Sequence, residues 1–296
     1  MKIIVLGSGG QLGFELVRSL MPLGEIVAFD RAGCDLSRPE SVAALRKLAP
    51  DLIVNAAAYT AVDQAESEPA AAHRVNAEAV GELALIAREH GALLVHYSTD
   101  YVFDGSGERP WSELDEPAPC NAYGRSKLAG ERAIAQAGCD HLIFRTSWVF
   151  SARGSNFVRS MLRLGAERES LSIVDDQIGA PTWVRNLADA SAHAIRQART
   201  ERATGRFNSG IFHLASRGET SWCAYARAIF TEARMRLPEL SLRVAEVQPI
   251  ASSDYPTPAA RPKNSRLDGA AFEARFGLRM PHWQDALVRC LGEMRG

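Results

Sequence analysis

Tyr123 and Lys127 are the residues of this chain whose types and spacing best suit a chemical reaction. They stand four positions apart, so on a helix both side chains lie on the same face. Ser98-Thr99-Asp100 follows the apolar run at 92–97, which places hydroxyl groups at the end of a predicted buried strand. A phenol, an ammonium group and a hydroxyl can together deliver a proton to a ketone oxygen. We expect the ammonium group to lower the pKa of Tyr123 from about 10 toward the working pH.

Residues 2–13 show the pattern of a dinucleotide-binding turn. Residues 2–6 are a short apolar run rich in β-branched side chains, as expected of a buried parallel strand, and an amphipathic helix pattern follows the turn. The residues that we assign to the turn are Gly7, Gly10, Gln11, Leu12 and Gly13. In such turns the glycines permit a tight bend and a close pyrophosphate, and the helix N-terminus offers free N–H groups. Glycine-rich turns are common, but this position directly after a strand favours a cofactor site.

The Gly7-x-x-Gly10-x-x-Gly13 spacing and the Tyr-x-x-x-Lys pair together resemble the short-chain dehydrogenase/reductase superfamily. The resemblance implies a Rossmann-type fold and a nicotinamide cofactor, NADPH or NADH. The second predicted strand, 25–29, ends in Asp30-Arg31. A carboxylate at this point favours NADH by binding the ribose 2′-hydroxyl, whereas a guanidinium group favours NADPH by binding a 2′-phosphate. Because both residues are present, the cofactor preference stays open.

Two further segments are candidates for contact with the cofactor. Asp35 and Leu36 resemble the adenine-contacting segment of these reductases, and the same segment could equally cap the next helix. Ala58, Tyr59 and Thr60 follow the third predicted strand. Small residues at a strand end allow either a close ligand or tight packing of a helix on the sheet.

Composition sets the broad class of the protein. The chain has 296 residues, of which 46% are hydrophobic and 23% charged, and its net charge is −1. These values are typical of a globular protein and give no indication of a nucleic-acid surface or a polybasic membrane patch. We expect no membrane helix and no signal peptide, because the apolar runs are strand-sized and the first strand begins at once. The five cysteines are scattered, which favours reduced thiols in a cytoplasmic protein.

Strand and helix patterns alternate through about residue 146, which predicts an α/β fold with a doubly wound parallel sheet. We expect the Rossmann-type domain to cover 1–150, with 182–215 returning to it. A smaller, interwoven C-terminal substrate-binding domain would cover 151–181 and 216–296. The predicted strands span 2–6, 25–29, 51–54, 92–97, 142–145, 171–174 and 211–214. The other predicted elements are helices over 70–90, 184–198 and 219–236, a Pro-rich loop over 255–265 and two short helices that follow it.

Four stretches resemble one family of the superfamily, the dTDP-4-dehydrorhamnose reductases. They are 98–105, 145–150, 177–182 and 261–267, and the resemblance covers nearly the whole chain. Members of this family reduce the C4 ketone of dTDP-4-dehydro-L-rhamnose with NADPH or NADH. The product, dTDP-L-rhamnose, serves bacterial surface polysaccharide. The resemblance therefore implies a dTDP-sugar as the substrate.

The resemblance also implies roles for individual residues. Tyr123 would donate a proton to the sugar O4, Lys127 would lower the pKa of Tyr123 and hold the nicotinamide ribose, and Thr99 would orient O4. Tyr97 is implied to lie near the cofactor. The residues implied to line the sugar and diphosphate sites are Asp100, Tyr101, Trp148, Arg261, Lys263 and Asn264. Trp148 could equally be a core aromatic, and the loop around Arg261 could equally be solvated.

Metal binding, assembly and two rival functions complete the expectations. Mg²⁺ is associated with this family, but the sequence shows no ligand set, and Glu15 and Glu293 are only candidates, so we predict no metal site. A homodimer is one expectation for the assembly. One rival function is another nucleotide-sugar enzyme, an epimerase or a 4,6-dehydratase. A dehydratase would need an acid beside Asp100, where this chain has Tyr101. The other rival is a non-catalytic regulatory subunit, which would not need to retain the Thr, Tyr and Lys that are present here.

Overall fold

Thirteen strands are present in the computed structural model, which describes residues 1–294. The strands are β1 (Lys2–Leu6), β2 (Glu25–Phe29), β3 (Leu52–Asn55), β4 (Leu93–Thr99), β5 (His141–Thr146), β6 (Val149–Phe150), β7 (Ser170–Val174), β8 (Ile178–Gly179), β9 (Thr182–Trp183), β10 (Gly210–His213), β11 (Thr220–Ser221), β12 (Glu246–Ile250) and β13 (Asn264–Ser265). Six of them form a sheet in the order β10-β5-β4-β3-β1-β2, in which every neighbouring pair is parallel.

Helices cover both faces of this sheet. The helices of residues 1–294 are α1 (Gln11–Leu20), α2 (Pro39–Ala43), α3 (Val62–Ser67), α4 (Pro69–His73), α5 (Ala79–Glu89), α6 (Ala122–Ala137), α7 (Phe157–Glu167), α8 (Val184–Ala203), α9 (Trp222–Arg236), α10 (Ala270–Phe276) and α11 (Trp283–Gly292). Short 3₁₀ turns occur at Met21–Leu23, Ala44–Leu48, Asp100–Val102, Pro238–Leu240 and Ser252–Asp254. No helix among residues 1–294 is long and apolar enough to span a membrane.

The sheet is buried on both faces, which explains the continuous apolar runs in the sequence. Along β1, Ile3 and Val5 belong to the apolar cluster on one face, and Ile4 and Leu6 belong to the cluster on the other. Successive side chains of a strand point to opposite faces, so a run without polar residues requires helices on both sides. The predicted doubly wound α/β fold of the Rossmann type is confirmed.

The chain leaves this sheet after β5 and returns to it at β10, which pairs with β5. Between and beyond these strands, α7, α9 and α11 enclose a third apolar cluster. Three small sheets lie in this part of the chain: β11-β8-β13, β12-β7 and β6-β9. The proposed division into two interwoven domains stays a prediction.

Most predicted elements agree with the structure to within a few residues, and three boundaries need correction. The single helix expected over 70–90 is divided into α4, a π-helical turn at Arg74–Glu78 and α5. The helix expected from 219 begins at Trp222, because the hydroxyl of Ser221 caps it by accepting the N–H of Ala224. The Pro-rich loop ends in β13, which pairs with β8.

Candidate active site

The start of helix α6 is pressed against the residues that follow β4. Asn121 caps the helix, since its side-chain oxygen accepts the N–H of Gly124 at 2.7 Å. Gly124 lies directly on the backbone of Tyr101, and a Cβ at this glycine would lie 2.1 Å from the Tyr101 carbonyl oxygen. This close approach brings Tyr123 to Thr99 at the end of the strand.

Tyr123, Thr99 and Asp100 form the centre of the site. Burial and the nearby Asp100 charge together raise the pKa of the Tyr123 phenol to about 12, although a hydrogen bond with Thr99 opposes part of the shift. Asp100 is itself buried, which raises its pKa to about 6, and it accepts the Thr99 hydroxyl at 3.1 Å. The ring of Tyr101 meets the Tyr123 ring edge-on, with centroids 5.7 Å apart. The phenol is therefore protonated at neutral pH, as a proton donor must be.

Lys127 lies on helix α6, as Tyr123 does, but its amino group contacts residues of β4 rather than the Tyr123 phenol. Its Nζ donates to the carbonyl oxygen of Tyr97 at 2.6 Å and lies 3.1 Å from Nε2 of His96. The pKa of the Tyr123 phenol is raised by burial and by Asp100, with no contribution from Lys127, and the predicted effect of Lys127 on the phenol stays a prediction. Burial lowers the pKa of Lys127 itself to about 8. The phenol of Tyr97 bonds to Ser191 at 2.7 Å, so only the backbone of Tyr97 meets the lysine.

The glycine turn has the geometry that a dinucleotide pyrophosphate requires. Gly7 has a φ of +80°, and a Cβ there would lie 2.8 Å from the backbone nitrogen of Ala57. A Cβ at Gly13 would lie 2.0 Å from the Gly7 carbonyl oxygen. Gly10 caps α1 without a side-chain hydrogen bond, so the N–H groups of the first turn are available to phosphate oxygens. These features fit the predicted nicotinamide dinucleotide.

Gln11 and Leu12 hold this turn in place through their side chains. The Gln11 side-chain oxygen accepts from the Ser151 hydroxyl and the Asn156 amide, both at 2.9 Å. Leu12 packs, partly buried, against the core beneath the sheet. The loop after β6 is thereby tied to the turn, a contact that the sequence did not predict.

The end of β2, by contrast, is open to solvent. Asp30 is exposed and its carboxylate accepts the N–H of Gly33 at 3.0 Å. The side chain of Arg31 is 87% exposed and lies 3.7 Å from the Asp35 carboxylate. Leu36 is buried in the core, so only its backbone is free for a ligand. The residues predicted to bind the adenosine part of the cofactor, here called the adenosine end of the site, therefore lie next to one another. None of their charged side chains is buried.

The segment after β3 is fixed by a residue that the sequence did not single out. Asn76, in the π-helical turn, accepts the N–H of Tyr59 at 2.8 Å and donates to its carbonyl oxygen at 3.0 Å. The same amide donates to the hydroxyl of Ser126 in α6 at 2.9 Å. Ala58 is half-buried and Thr60 is exposed. A buried asparagine in an alanine-rich helix was the available signal for this link.

Trp148 forms an aromatic wall with a residue that is distant in the sequence. Its ring stacks on Trp222 with centroids 3.6 Å apart and planes 13° apart. Its backbone has a φ of +46°, a strained conformation for a bulky residue. A Cβ at Gly179 would lie 2.7 Å from the Trp148 ring, and Gln177 accepts the indole N–H of Trp222 at 3.2 Å. The 177–182 stretch therefore positions the wall.

The three candidates near the end of the chain have different surroundings. Arg261 makes two hydrogen bonds to Asp63, of 2.6 and 2.7 Å. Its guanidinium group also interacts electrostatically with Tyr101. Lys263 is exposed and lies 3.0 Å from Asp176. Asn264 is buried, and its amide donates to the carbonyl oxygens of residues 106 and 109 at 3.3 and 2.8 Å. Of the three, Arg261 is the one whose charge interacts with Tyr101, and Asn264 holds the loop.

Glu15 and Glu293 do not fit a divalent cation. Both carboxylates bind Arg185, and Glu15 also binds Arg18 at 2.8 Å. Guanidinium groups already neutralise these oxygens, and the pKa of Glu15 is lowered by hydrogen bonds from both arginines, which outweigh the effect of its burial. Residues 1–294 contain no group of three or more His, Cys, Asp or Glu that could hold a metal ion.

Comparisons with known proteins agree over the full length of the chain. The RmlD substrate binding domain family matches residues 1–295. The chain is 52% identical to the dTDP-4-dehydrorhamnose reductase of Burkholderia thailandensis, over 99% of both chains. It is 48% identical to the Salmonella typhimurium enzyme of the same name, over 99% of this chain and 98% of the other. The crystal structure of the Bacillus anthracis dTDP-4-dehydrorhamnose reductase in complex with NADP superimposes with a TM-score of 0.87, at 36% identity and 99% coverage of both chains.

Proposed function

Because the chain belongs to the dTDP-4-dehydrorhamnose reductase family, we propose that it reduces the C4 ketone of dTDP-4-dehydro-L-rhamnose to dTDP-L-rhamnose with NADPH or NADH. The observation that carries the proposal is the half-buried Tyr123, whose phenol lies beside the Thr99 hydroxyl at the same end of the sheet as the glycine turn. In a doubly wound sheet, ligands bind at the carboxyl ends of the strands.

In this proposal each residue of the site has a separate role in the reaction. Tyr123 donates its proton to the sugar O4 as negative charge develops there, and its raised pKa keeps it protonated until then. Thr99 holds O4 in line with the phenol by hydrogen bonding. Lys127 supplies N–H donors behind the phenol, within reach of a ribose. When bound, the reduced nicotinamide supplies the hydride that the carbonyl carbon receives.

The remaining site residues surround the sugar nucleotide in this proposal. Asp100 and Tyr101 flank the sugar next to Tyr123, and the wall of Trp148 and Trp222 covers its apolar face. Arg261 and Lys263 meet the diphosphate with their charge. Asn264 acts indirectly by holding their loop.

The cofactor would bind along the edge formed by the ends of β1, β2 and β3. The first turn of α1 receives the pyrophosphate, and the residues after β3 lie beside it. The exposed pair Asp30 and Arg31 offers one group for each kind of ribose, which supports use of both NADH and NADPH.

We also propose that the enzyme works in the cytoplasm, since all five cysteines are free thiols and four of them are buried. A homodimer and the lack of nucleic-acid binding stay predictions. Sedimentation analysis of the purified protein, with and without DNA, tests both.

Product analysis is the decisive experiment. The protein is incubated with dTDP-4-dehydro-L-rhamnose and either NADPH or NADH, and the sugar nucleotide is identified by NMR spectroscopy. We expect one dTDP-L-rhamnose for each nicotinamide oxidised, and product formation about 10²–10⁴-fold slower with Tyr123→Phe. A product with an inverted centre and no net oxidation would identify an epimerase. Lack of turnover, with cofactor still bound, would favour the regulatory subunit.

A further inference from the structure

A continuous chain of hydrogen bonds, here called the relay, joins the aromatic wall to a residue predicted to bind the diphosphate. The indole N–H of Trp222 donates to the Gln177 side-chain oxygen at 3.2 Å, and the Gln177 amide donates to the hydroxyl oxygen of Ser252 at 3.0 Å. Ser252 donates its hydroxyl and its backbone N–H to Oδ1 of Asp176, at 2.5 and 2.8 Å. Oδ2 of Asp176 lies 3.0 Å from Nζ of Lys263. These five residues are the relay.

The two ends of the relay allow only one direction for its hydrogen bonds. An indole nitrogen only donates, so the oxygen of the Gln177 amide faces Trp222 and its NH₂ group faces Ser252. The Ser252 hydroxyl therefore accepts from the amide and donates its own proton to Asp176. A turned amide or hydroxyl would place two donors against each other, which costs the free energy of an unmade hydrogen bond.

The carboxyl group of Asp176 is ionised at neutral pH. Burial raises its pKa, but hydrogen bonds from Ser252 and Lys263 more than offset this effect and hold the pKa below its usual value. Hydrogen bonds to an ionised acceptor are stronger than those between neutral groups. The charged end therefore fixes the direction of the whole relay.

The relay connects segments that are far apart in the sequence. Asp176 and Gln177 lie between β7 and β8, Ser252 begins the 3₁₀ turn after β12, and Trp222 begins α9. Strands β12 and β7 pair in parallel along their whole length, so the segments that follow them lie side by side. The small sheet thus brings Ser252 to Asp176.

Trp148 depends on Trp222 for its position in the wall. The φ of Trp148 is +46°, a strained conformation that persists only where the surroundings hold it. Its ring stacks on Trp222 with centroids 3.6 Å apart, and a Cβ at Gly179 would lie 2.7 Å from the same ring. A displacement of Trp222 therefore removes the contact that offsets the strain.

We propose that Gln177, Ser252 and Asp176 are positioning residues that couple the aromatic wall to the lysine of the diphosphate site. The consequence for catalysis rests on the proposed function. The Lys263 side chain is 68% exposed, and its ammonium group has three donors, so it can bind a phosphate oxygen while it contacts Asp176. A diphosphate that shares the lysine draws charge from Asp176, and polarisation along the relay carries this change to the wall. The enzyme then recognises the sugar and the diphosphate of its substrate as one unit.

The indole N–H signals of the protein, with no ligand added, test the relay without any reaction. In ¹H–¹⁵N spectra of tryptophan-labelled protein, Trp222→Phe identifies the Trp222 signal. In Ser252→Ala the Gln177 amide loses its acceptor, so we expect the Trp222 proton signal to move upfield and its exchange with solvent to become at least about threefold faster. Ser253→Ala removes an exposed hydroxyl one position away and should change neither quantity. A Trp222 signal that is the same in Ser252→Ala and in the wild type would overturn the proposal.

A second variant breaks the relay at its first hydrogen bond. Gln177→Met removes the acceptor of the indole N–H and keeps a side chain of similar length. We expect a larger shift of the Trp222 signal than in Ser252→Ala, and a shift of the Trp148 signal, assigned with Trp148→Phe, because the stack is loosened. A Trp148 signal that does not move in Gln177→Met would show that the wall is independent of the relay and would also overturn the proposal.

Steady-state kinetics measure the coupling during turnover. Trp222→Phe removes the first donor of the relay, and Asp176→Asn places an amide NH₂ group against Lys263 at the other end. Each change should raise KM for the dTDP-sugar by about three- to tenfold, with kcat and KM for the cofactor nearly unchanged. Asp254→Asn, on the exposed neighbouring turn, is the matched control for the lost charge.

The double variant shows whether the two ends act together. Because either change breaks the relay, the increase in KM for Trp222→Phe combined with Asp176→Asn should be well below the product of the two single increases. Increases that multiply would contradict the coupling. A protein that reduces the dTDP-sugar but whose Trp222 signal ignores Ser252→Ala rejects this inference alone. A protein whose Trp222 signal responds but that has no reductase activity rejects the proposed function alone.

Discussion

The two ends of the proposed cofactor site are built in opposite ways. At the proton-handling end, Thr99, Asp100 and Lys127 are 6%, 2% and 2% exposed. Each bonds to another element of the fold: Thr99 to Tyr123 in α6, Asp100 to Ser265 in β13, and Lys127 to the backbone of Tyr97 in β4. At the adenosine end, Asp30 and Arg31 are exposed, and their contacts lie within the same loop. Burial sets the protonation state of a group, whereas an exposed charge keeps its ordinary state and adapts to the ligand. We therefore expect large effects from changes at the first end and small effects at the second.

Tyr123→Phe should have the largest effect on activity. The change removes one hydroxyl that donates the proton, a contribution of about 10²–10⁴-fold in kcat. Cofactor affinity should stay nearly the same, because the ring remains. Steady-state kinetics and cofactor titration measure the two quantities. The exposed Tyr255→Phe is the matched control and should behave like the wild type. A Tyr123→Phe enzyme that keeps more than about a tenth of kcat would exclude this residue as the proton donor.

Arg145→Met should have the largest effect on stability. It leaves the carboxylate of Glu131 buried without its partner, since both side chains are only 3% exposed. Breaking a buried ion pair costs about 3–5 kcal/mol of the free energy of unfolding. Chemical denaturation measures this, with the exposed Arg163→Met, which loses a surface pair with Glu167, as control. Equal losses of unfolding free energy in the two variants would show that the buried Arg145–Glu131 pair contributes no more to stability than the surface pair Arg163–Glu167.

Asp100→Asn tests the buried charge itself. The pKa of Asp100 is raised by burial to about 6, above its unfolded value, so the stability linked to its proton is present at low pH and lost as the pH rises through about 6. At about 1.4 kcal/mol per pKa unit, the variant should be more stable than the wild type by about 2–3 kcal/mol above pH ~7. The difference should vanish below pH ~4. Thermal unfolding across this range provides the measurement, and a gain that does not depend on pH would contradict the assigned cause.

The same contrast explains what the sequence could and could not predict. The central strands were predictable because burial on both faces leaves apolar runs, and the glycine turn was predictable because its spacing is local. The partners of Lys127 were not predictable, because His96 and the backbone of Tyr97 lie on β4, about 30 positions before Lys127 in helix α6. The stacking of Trp148 on Trp222 was equally hidden, because 74 positions separate the two residues. Local patterns therefore point to candidate reactive residues, whereas the protonation states of those residues depend on contacts between distant segments.

Arg31→Ala should give the smallest effect, a shift in cofactor preference of about tenfold or less toward NADH. The guanidinium group is 87% exposed and only 3.7 Å from Asp35, so it can turn toward a 2′-phosphate at little cost. Asp30→Ala should shift the preference toward NADPH by a similar factor, because a carboxylate repels the phosphate. Values of kcat/KM for both cofactors in the wild type and the two variants give the ratios. Arg38→Ala, which removes another exposed arginine paired with Glu40, should leave the ratio unchanged. If Arg31→Ala also leaves the ratio of kcat/KM for the two cofactors unchanged, then Arg31 does not reach the ribose. The cofactor preference must then be set by side chains that the fold holds in place, as it holds those at the proton-handling end.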